Sequence, residues 1–299
     1  MTELKIPGAA ARAAPTGLMF LAITSVAWGL NWPVMKLVLS EWPPLSARGW
    51  TGVAGAALLA MLALARGESL AVPRAMWPRL LLSAFLNVTT WMTLMGLALL
   101  WLPASEAAVI AYTMPVWASL LAWLLLGERM SWSRLGALLM AFAGIAALMG
   151  GNGISGSMEK LPGIVMVLVG AFGFALGTVA AKRLPLALPL VSSAALQIGI
   201  GCVPVALAGM LFEHPDLRAL SGVGWGLMAY MTVVQFCIAY VCWFAALQRL
   251  PASVAAIGTL AVPVIGVVAS AVALHEPLGW GQIAALIFTL AGVVLATRS

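Results

Sequence analysis

Leu102-Pro-Ala-Ser-Glu-Ala-Ala-Val109 and Leu250-Pro-Ala-Ser-Val-Ala-Ala-Ile257 are one phrase written twice, 148 residues apart. The match continues beyond it: Pro115 falls on Pro263, Glu128 on Glu276, Trp132 on Trp280 and Gly144 on Gly292. Across 102–149 and 250–297, 15 of 48 aligned positions are identical. Leu, Ala and Val coincide by chance in any two apolar segments. Pro, Glu and Trp held at one offset do not, so the chain carries an internal repeat.

Composition sets the solvent around that repeat. The chain is 63% hydrophobic and 8% charged, with mean hydropathy +1.07. A soluble domain carries about 25% charged residues. This chain lacks the polar surface to cover a core, so a lipid bilayer is its expected partner. A helix crossing ~30 Å of hydrocarbon needs roughly 20 apolar residues. Ten segments meet that need: 16–39, 45–65, 77–101, 104–126, 132–150, 162–182, 188–212, 222–247, 252–274 and 279–297. Pro, Gly and charged residues break them apart, and no loop is long enough to fold alone. The expected class is an all-α membrane protein of ten transmembrane helices.

Charge orients the chain. A formal +6 could suggest nucleic acid, but the positions of the cations argue for membrane topology instead. With the N-terminus in the cytoplasm, Lys and Arg at 5, 12, 66, 74, 79, 129, 134, 182, 183, 249 and 298 lie inside. Only 36, 48, 160 and 218 lie outside. This bias places both termini in the cytoplasm. Met1–Pro15 has no signal-peptide cleavage pattern, so the first segment is expected to remain in the protein.

Repeat and count combine. Five helices per half is an odd number, so the second half must enter from the opposite face. Two inverted five-helix repeats, 1–150 and 157–299, are therefore expected around a central cavity. Earlier segments fit the same scheme: 27–36 lies over 173–182 at an offset of 146, and Trp77 matches Trp225 and Asn87 matches Gln235 at 148. Inverted repeats let a chain open alternately to either side, which points to a transporter.

Candidate functional residues follow from what hydrocarbon penalises. Pro115 and Pro263 each remove a backbone donor and clash one turn back, which would free the carbonyls of Ala111 and Thr259 and make helix hinges. The amides Asn31, Asn87 and Gln235 must face protein or a water-filled cavity. They either bond between helices or line a substrate path, whereas Gln197 reads as interhelical glue. Trp91, Tyr112 and Tyr240 lie deep enough to wall a cavity. Trp42, Trp77, Trp101, Trp132, Trp225 and Trp280 sit at segment ends as interface-belt residues. Glu106 opens its helix, where a carboxylate suits the positive end, against the alternative of proton coupling. Glu128 and Glu276 should pair with Arg129, Arg134 or nearby backbone donors. Lys36 and Lys182 either snorkel to the interface or bind an anionic substrate group, and snorkelling is the preferred reading. Gly170, Gly173 and Gly177 give one helix a bare face, for close packing or a thin cavity wall. Cys202, Cys237 and Cys242 lack metal-ligand spacing and read as reduced core residues. Catalytic motifs, metal sites and cofactor motifs are missing from the sequence, and so is an ATPase domain. The expectation is a non-enzyme with no cofactor, facilitative or driven by a gradient.

Several of these motifs together resemble the drug/metabolite transporter superfamily, and its EamA-type members in particular. They are Ala27-Trp-Gly-Leu-Asn-Trp32, the Pro-Ala-Ser starts at 103 and 251, the mid-helix prolines, and the Gly-Glu and His-Glu pairs before Trp132 and Trp280. Within the superfamily the chain is most similar to YddG-type exporters of aromatic amino acids. The resemblance implies a ten-helix basket whose cavity is lined by helices one, three, four, six, eight and nine, with five and ten peripheral. It implies alternating access in a bacterial inner membrane and export of small metabolites. The glutamate that small multidrug-resistance relatives carry in their first helix has no counterpart between Trp28 and Trp32. The candidate cavity itself offers aromatics, amides and hydroxyls with little fixed charge, which suits a neutral amino acid with an aromatic or large apolar side chain. Export of drugs or lipophilic metabolites is the alternative, and a non-transporting membrane scaffold the third reading. A repeat within one chain favours a monomer.

Overall fold

The computed structural model describes residues 7–127, 132–150, 153–247, 249–250 and 259–297, and these are helical with short connections. We number the helices in chain order: α1 is Pro7–Val38, α2 Pro44–Ala65, α5 Trp132–Gly150, α6 Gly153–Arg183, α7 Leu190–Phe212 and α10 Trp280–Thr297. Three are composite. α3 joins Trp77–Ala84, Phe85–Thr89 and Thr90–Ala98, and α4 joins Ala104–Ala111 and Met114–Leu126. α8 joins Gly222–Ala229, Tyr230–Ile238 and Ala239–Leu247. The described part of α9 is Ala261–Leu274. Among the described residues, 7 helices are long and apolar enough to cross a membrane, and Ala261–Leu274 and Trp280–Leu295 are shorter apolar helices.

Small residues set the packing. Added Cβ atoms on Gly49 and Gly52 of α2 would collide with Ala206 and Cys202 of α7, and one on Gly209 of α7 would collide with Ser46. As the number rises on α2 it falls on α7, so the two helices run antiparallel in close contact. α6 lies on α3 in the same way. A Cβ on Gly170 would stand 2.5 Å from the Met95 methyl, and one on Gly173 would stand 3.1 Å from Thr90 Cγ2. The bare glycine face of α6 therefore serves helix packing. α1 and α9 instead run parallel, with Gly29 against Ile265 and Gly266 against Trp32.

Helix starts show a second device. α2, α4 and α7 each follow a proline at the N-cap (Pro43, Pro103, Pro189), whose side chain offers no acceptor. Their orphan N–H groups need one. A glutamate from a distant part of the chain supplies it. Leu45 N and Ser46 N donate to Glu213 at 2.9 and 2.7 Å. Ala104 N and Ser105 N donate to Glu276 at 2.7 and 2.9 Å. Ser192 N donates to Glu68 at 2.9 Å. The adjacent serine hydroxyl adds a further bond each time. A carboxylate at a helix N-terminus also complements the macrodipole. Glu276 thus finds its donors 171 and 172 residues away rather than in its own loop. Glu128 and Arg129 lie outside the described residues, and so does the side chain of Arg134.

Two expectations about side chains change. Trp42 is buried in the apolar core, with its indole N–H donating to the Asp216 carbonyl at 2.9 Å. Trp77, Trp101, Trp132, Trp225 and Trp280 are exposed, as a belt requires. Lys36 does not snorkel: its ammonium donates to the carbonyls of Leu99 and Leu102 and closes the C-terminal end of α3.

Proline acts at matched places in α4 and α9. α4 breaks at Tyr112 and Thr113, and Pro115 stands second in the segment that follows. The chain turns tightly there, with Val116 N donating to Thr113 O at 2.9 Å. Before α9 the same tightening pairs Val262 N with Thr259 O at 3.0 Å, so Pro263 does not release that carbonyl. A proline cannot tolerate a helical carbonyl four residues back, and an i to i+3 turn moves it aside.

Candidate functional site

The helices enclose a central cavity of ≈ 100 Å³. α1 contributes Trp28, Asn31, Trp32 and Met35, which share one face at the 3.6-residue period. α3 contributes Trp91, Met92 and Met95, α4 contributes Tyr112 and Met114, and α6 contributes Phe174. α8 contributes Gln235 and Tyr240. These two are five residues apart and would diverge by about 140° on a regular α-helix. The wide π turn over Tyr230–Ile238 brings both to one side.

Aromatic contacts order the walls. Trp28 meets Tyr240 edge-on at 5.5 Å between centroids and Trp243 at 5.8 Å. Trp91 tilts against Phe174 at 5.1 Å, and Tyr240 stacks on Phe236 at 6.4 Å. Tyr230, one π turn before Gln235, donates its hydroxyl to Ala27 O at 2.9 Å and ties α8 to α1. Met35 also belongs to a buried apolar cluster with Val38, Leu99, Leu102 and Met231 near the end of α1.

Among the described residues, α2 supplies the one cavity residue with a full charge. Arg48 is 2% exposed and lies about 6 Å into its helix from Pro44. Nη1 donates to Gln235 Oε1 at 3.3 Å, and Nη2 faces Met92 Sδ at 2.7 Å. Nε has no partner. Gly96 makes room for the stem, because a Cβ there would stand 3.1 Å from Arg48 Cγ. The Asn31 amide is buried beside the same space, and its Oδ1 also lacks a partner.

The candidate residues sort by position. Asn31, Trp91, Tyr112, Gln235 and Tyr240 line the cavity together. Asn87 does not. Its Nδ2 donates to Ser83 Oγ at 3.1 Å, and its Oδ1 lies against Gly177 of α6. Ser83 in turn donates to Gln197 Oε1 at 2.6 Å, and Gln197 Nε2 donates to Ser193 Oγ at 3.0 Å. This neutral chain joins α3 to α7. Thr259 sits half-buried in the turn before α9, and no described α9 residue lines the cavity. Glu106 is buried away from the cavity. It pairs with Lys160 at 2.8 Å and accepts from Gln282 at 3.2 Å.

Arg48 is the residue that sequence reading missed. Charge counting places it only on the external side. Yet it lies three positions inside the apolar segment 45–65, and an arginine within such a segment is itself a functional signal.

Comparison with known proteins fits this architecture. The model of the family described as "EamA-like transporter family" matches residues 15–150 and again residues 161–298. The "Uncharacterized transporter YvbV" of Bacillus subtilis (strain 168) is 31% identical over 282 residues, covering 93% of this chain and 90% of its own. The "Probable amino-acid metabolite efflux pump" of Salmonella typhimurium is 26% identical and covers 92% of this chain and 93% of its own. The protein of the same name in Escherichia coli (strain K12) is 24% identical, with 93% of each chain covered. One crystal structure superposes with a TM-score of 0.66 at 24% identity, over 94% of this chain and 96% of that one, which shows a shared fold. The chain belongs to the EamA-like transporter family and is a multi-pass membrane transporter.

Proposed function

We propose that this transporter exports neutral amino acids with aromatic or large apolar side chains by alternating access. The observation that carries the reading is the cavity wall. Trp28, Trp32, Trp91, Tyr112, Phe174 and Tyr240 surround a few convergent polar groups from Asn31, Arg48 and Gln235. Such a lining suits a flat apolar side chain with a small polar head. The names of the Salmonella and Escherichia relatives support an amino-acid metabolite as cargo. Arg48 adds fixed positive charge that composition had not placed there, and it opposes a cationic cargo.

For the architecture, we infer two inverted repeats, 1–150 and 157–299, in a monomer in a bacterial inner membrane, with both termini cytoplasmic. The antiparallel packing of α2 on α7 supports the inversion, because these helices occupy matched places in the two halves. The π segments in α3 and α8 support it too. The Lys and Arg distribution supports the orientation. Pro115 and Pro263 are then hinges, the first at the turn that interrupts α4 and the second just after the start of the described part of α9.

One observation favours a second reading. Four methionines, Met35, Met92, Met95 and Met114, line the cavity. Flexible thioethers adapt to many shapes, which suits an exporter of varied lipophilic metabolites.

Uptake into proteoliposomes preloaded with unlabelled amino acids tests these readings, using labelled Phe, Leu, Thr and Lys with and without a pH gradient. Phe or Leu uptake that unlabelled Trp competes away is the expected result. Uptake of none of the four by folded protein overturns the amino-acid reading, and drug resistance in cells expressing it then supports the second. Failure to move any solute while a partner co-purifies would mark a scaffold.

A further inference from the structure

Arg48 is a buried cation without a buried anion. Its described hydrogen-bond partners are a neutral amide and a thioether, and the Tyr240 phenol and Cys202 thiol lie nearby. Among the described residues the ion pair is Lys160 with Glu106, so no described carboxylate neutralises the guanidinium. An arginine does not lose its proton in a protein, and a lone charge away from water is costly. The natural complement is an anion that arrives with the cargo. Nε is left over, and beside Nη1 or Nη2 it forms the edge that grips a carboxylate in two parallel bonds. Asn31 Oδ1 is left over in the same cavity and is an acceptor. One unpaired donor edge and one unpaired acceptor are the complement of an α-carboxylate and an α-ammonium.

We propose that Arg48 binds the substrate carboxylate and Asn31 accepts from its ammonium, with Gln235 positioning the guanidinium. The inference deepens the amino-acid reading and rests on it for the ammonium half. The carboxylate half stands for any apolar organic acid. Gln235 Oε1 holds Nη1 and leaves Nε without a partner. The site thus ranks cargo by its head group: carboxylate essential, ammonium helpful, a lone cation excluded.

Competition against labelled Phe in proteoliposomes, and direct binding to detergent-purified protein by calorimetry, use three probes that share one ring. These are Phe, 3-phenylpropionate and phenethylamine. In the unaltered protein, Phe should bind most tightly, 3-phenylpropionate next and phenethylamine least. Arg48→Gln should weaken Phe and 3-phenylpropionate together by at least ~30-fold. Asn31→Leu should weaken Phe about tenfold and leave 3-phenylpropionate unchanged. Binding of 3-phenylpropionate but not Phe, dependent on Arg48, would keep the carboxylate site and overturn the amino-acid reading with the Asn31 role. Phenethylamine binding as tightly as 3-phenylpropionate would overturn the proposal, as would an Arg48→Gln variant that still binds Phe normally. Should Arg48→Gln fail to fold, Arg48→Lys decides. It keeps the charge but loses the two-bond edge, so affinity should fall about tenfold, and unchanged affinity overturns the proposal.

Discussion

The two halves of the molecule use the same backbone device and fill it with different chemistry. α3 and α8 each carry a π segment, Phe85–Thr89 and Tyr230–Ile238, and the matched amides Asn87 and Gln235 sit inside them. Gln235 meets Arg48 at the cavity. Asn87 turns to Ser83 and Gly177. The difference lies in the neighbours. At the repeat offset of 146, Asn31 corresponds to Gly177 and Arg48 to Ala194. One set of helices, α1 and α2 of the first half with α8 of the second, thus presents Asn31, Arg48 and Gln235, where the matched set of α6, α7 and α3 presents Gly177, Ala194 and Asn87. A duplicated frame can stay even in its helices while a single-sided polar head site is built by changing three side chains.

The two halves should differ most at the amides. Gln235→Leu removes the acceptor of a charged donor, and labelled-Phe exchange should fall at least ~10-fold. Asn87→Leu should leave exchange within about twofold, because that amide lies off the cavity, and lower only the thermal midpoint in detergent. Equal loss of exchange in both variants would mean that the halves work symmetrically.

Packing gives the next largest effect. Gly177→Ala drives a methyl into Asn87 and should cost about 1–3 kcal/mol, read as a lower midpoint. Adding Asn87→Ala should recover much of it. Gly226, whose added Cβ meets nothing within 4 Å, serves as the control.

The helix caps of the two halves differ as well. Glu213→Ala strips three bonds from the start of α2, and Glu68→Ala strips two from the start of α7. Each should cost about 1–2 kcal/mol, with Glu213 the larger. The ranking is checked by midpoints of the two variants measured side by side. The smallest effect is expected from Trp42→Phe. It keeps the buried ring and loses one hydrogen bond to Asp216, for about 1 kcal/mol by the same measurement.

Much of the candidate site was legible because hydrocarbon makes polar groups conspicuous. Asn31, Gln235, Tyr112 and Tyr240 stand out in apolar segments, and all four reach the cavity. Asn87 stands out equally and does not, since helix rotation within the bundle cannot be read along one chain. Trp28 and Phe174 were invisible among many aromatics for the same reason. Arg48 was hidden by its place near a segment end, where a loop cation and a buried one look alike.

The sequence alone determined the membrane setting, the helices and the repeat, because these depend on local hydropathy and on residue order. A chain with 8% charged residues has no soluble alternative, and matched prolines and glutamates mark a duplication whatever the packing. Only the tertiary structure decided which carboxylate caps which helix, which amide faces the cavity, and that a lone guanidinium sits within it. Those facts rest on contacts between residues 44 to 187 positions apart, Arg48 with Met92 and with Gln235. Burial and rotation of whole helices set such contacts, and no local pattern encodes them.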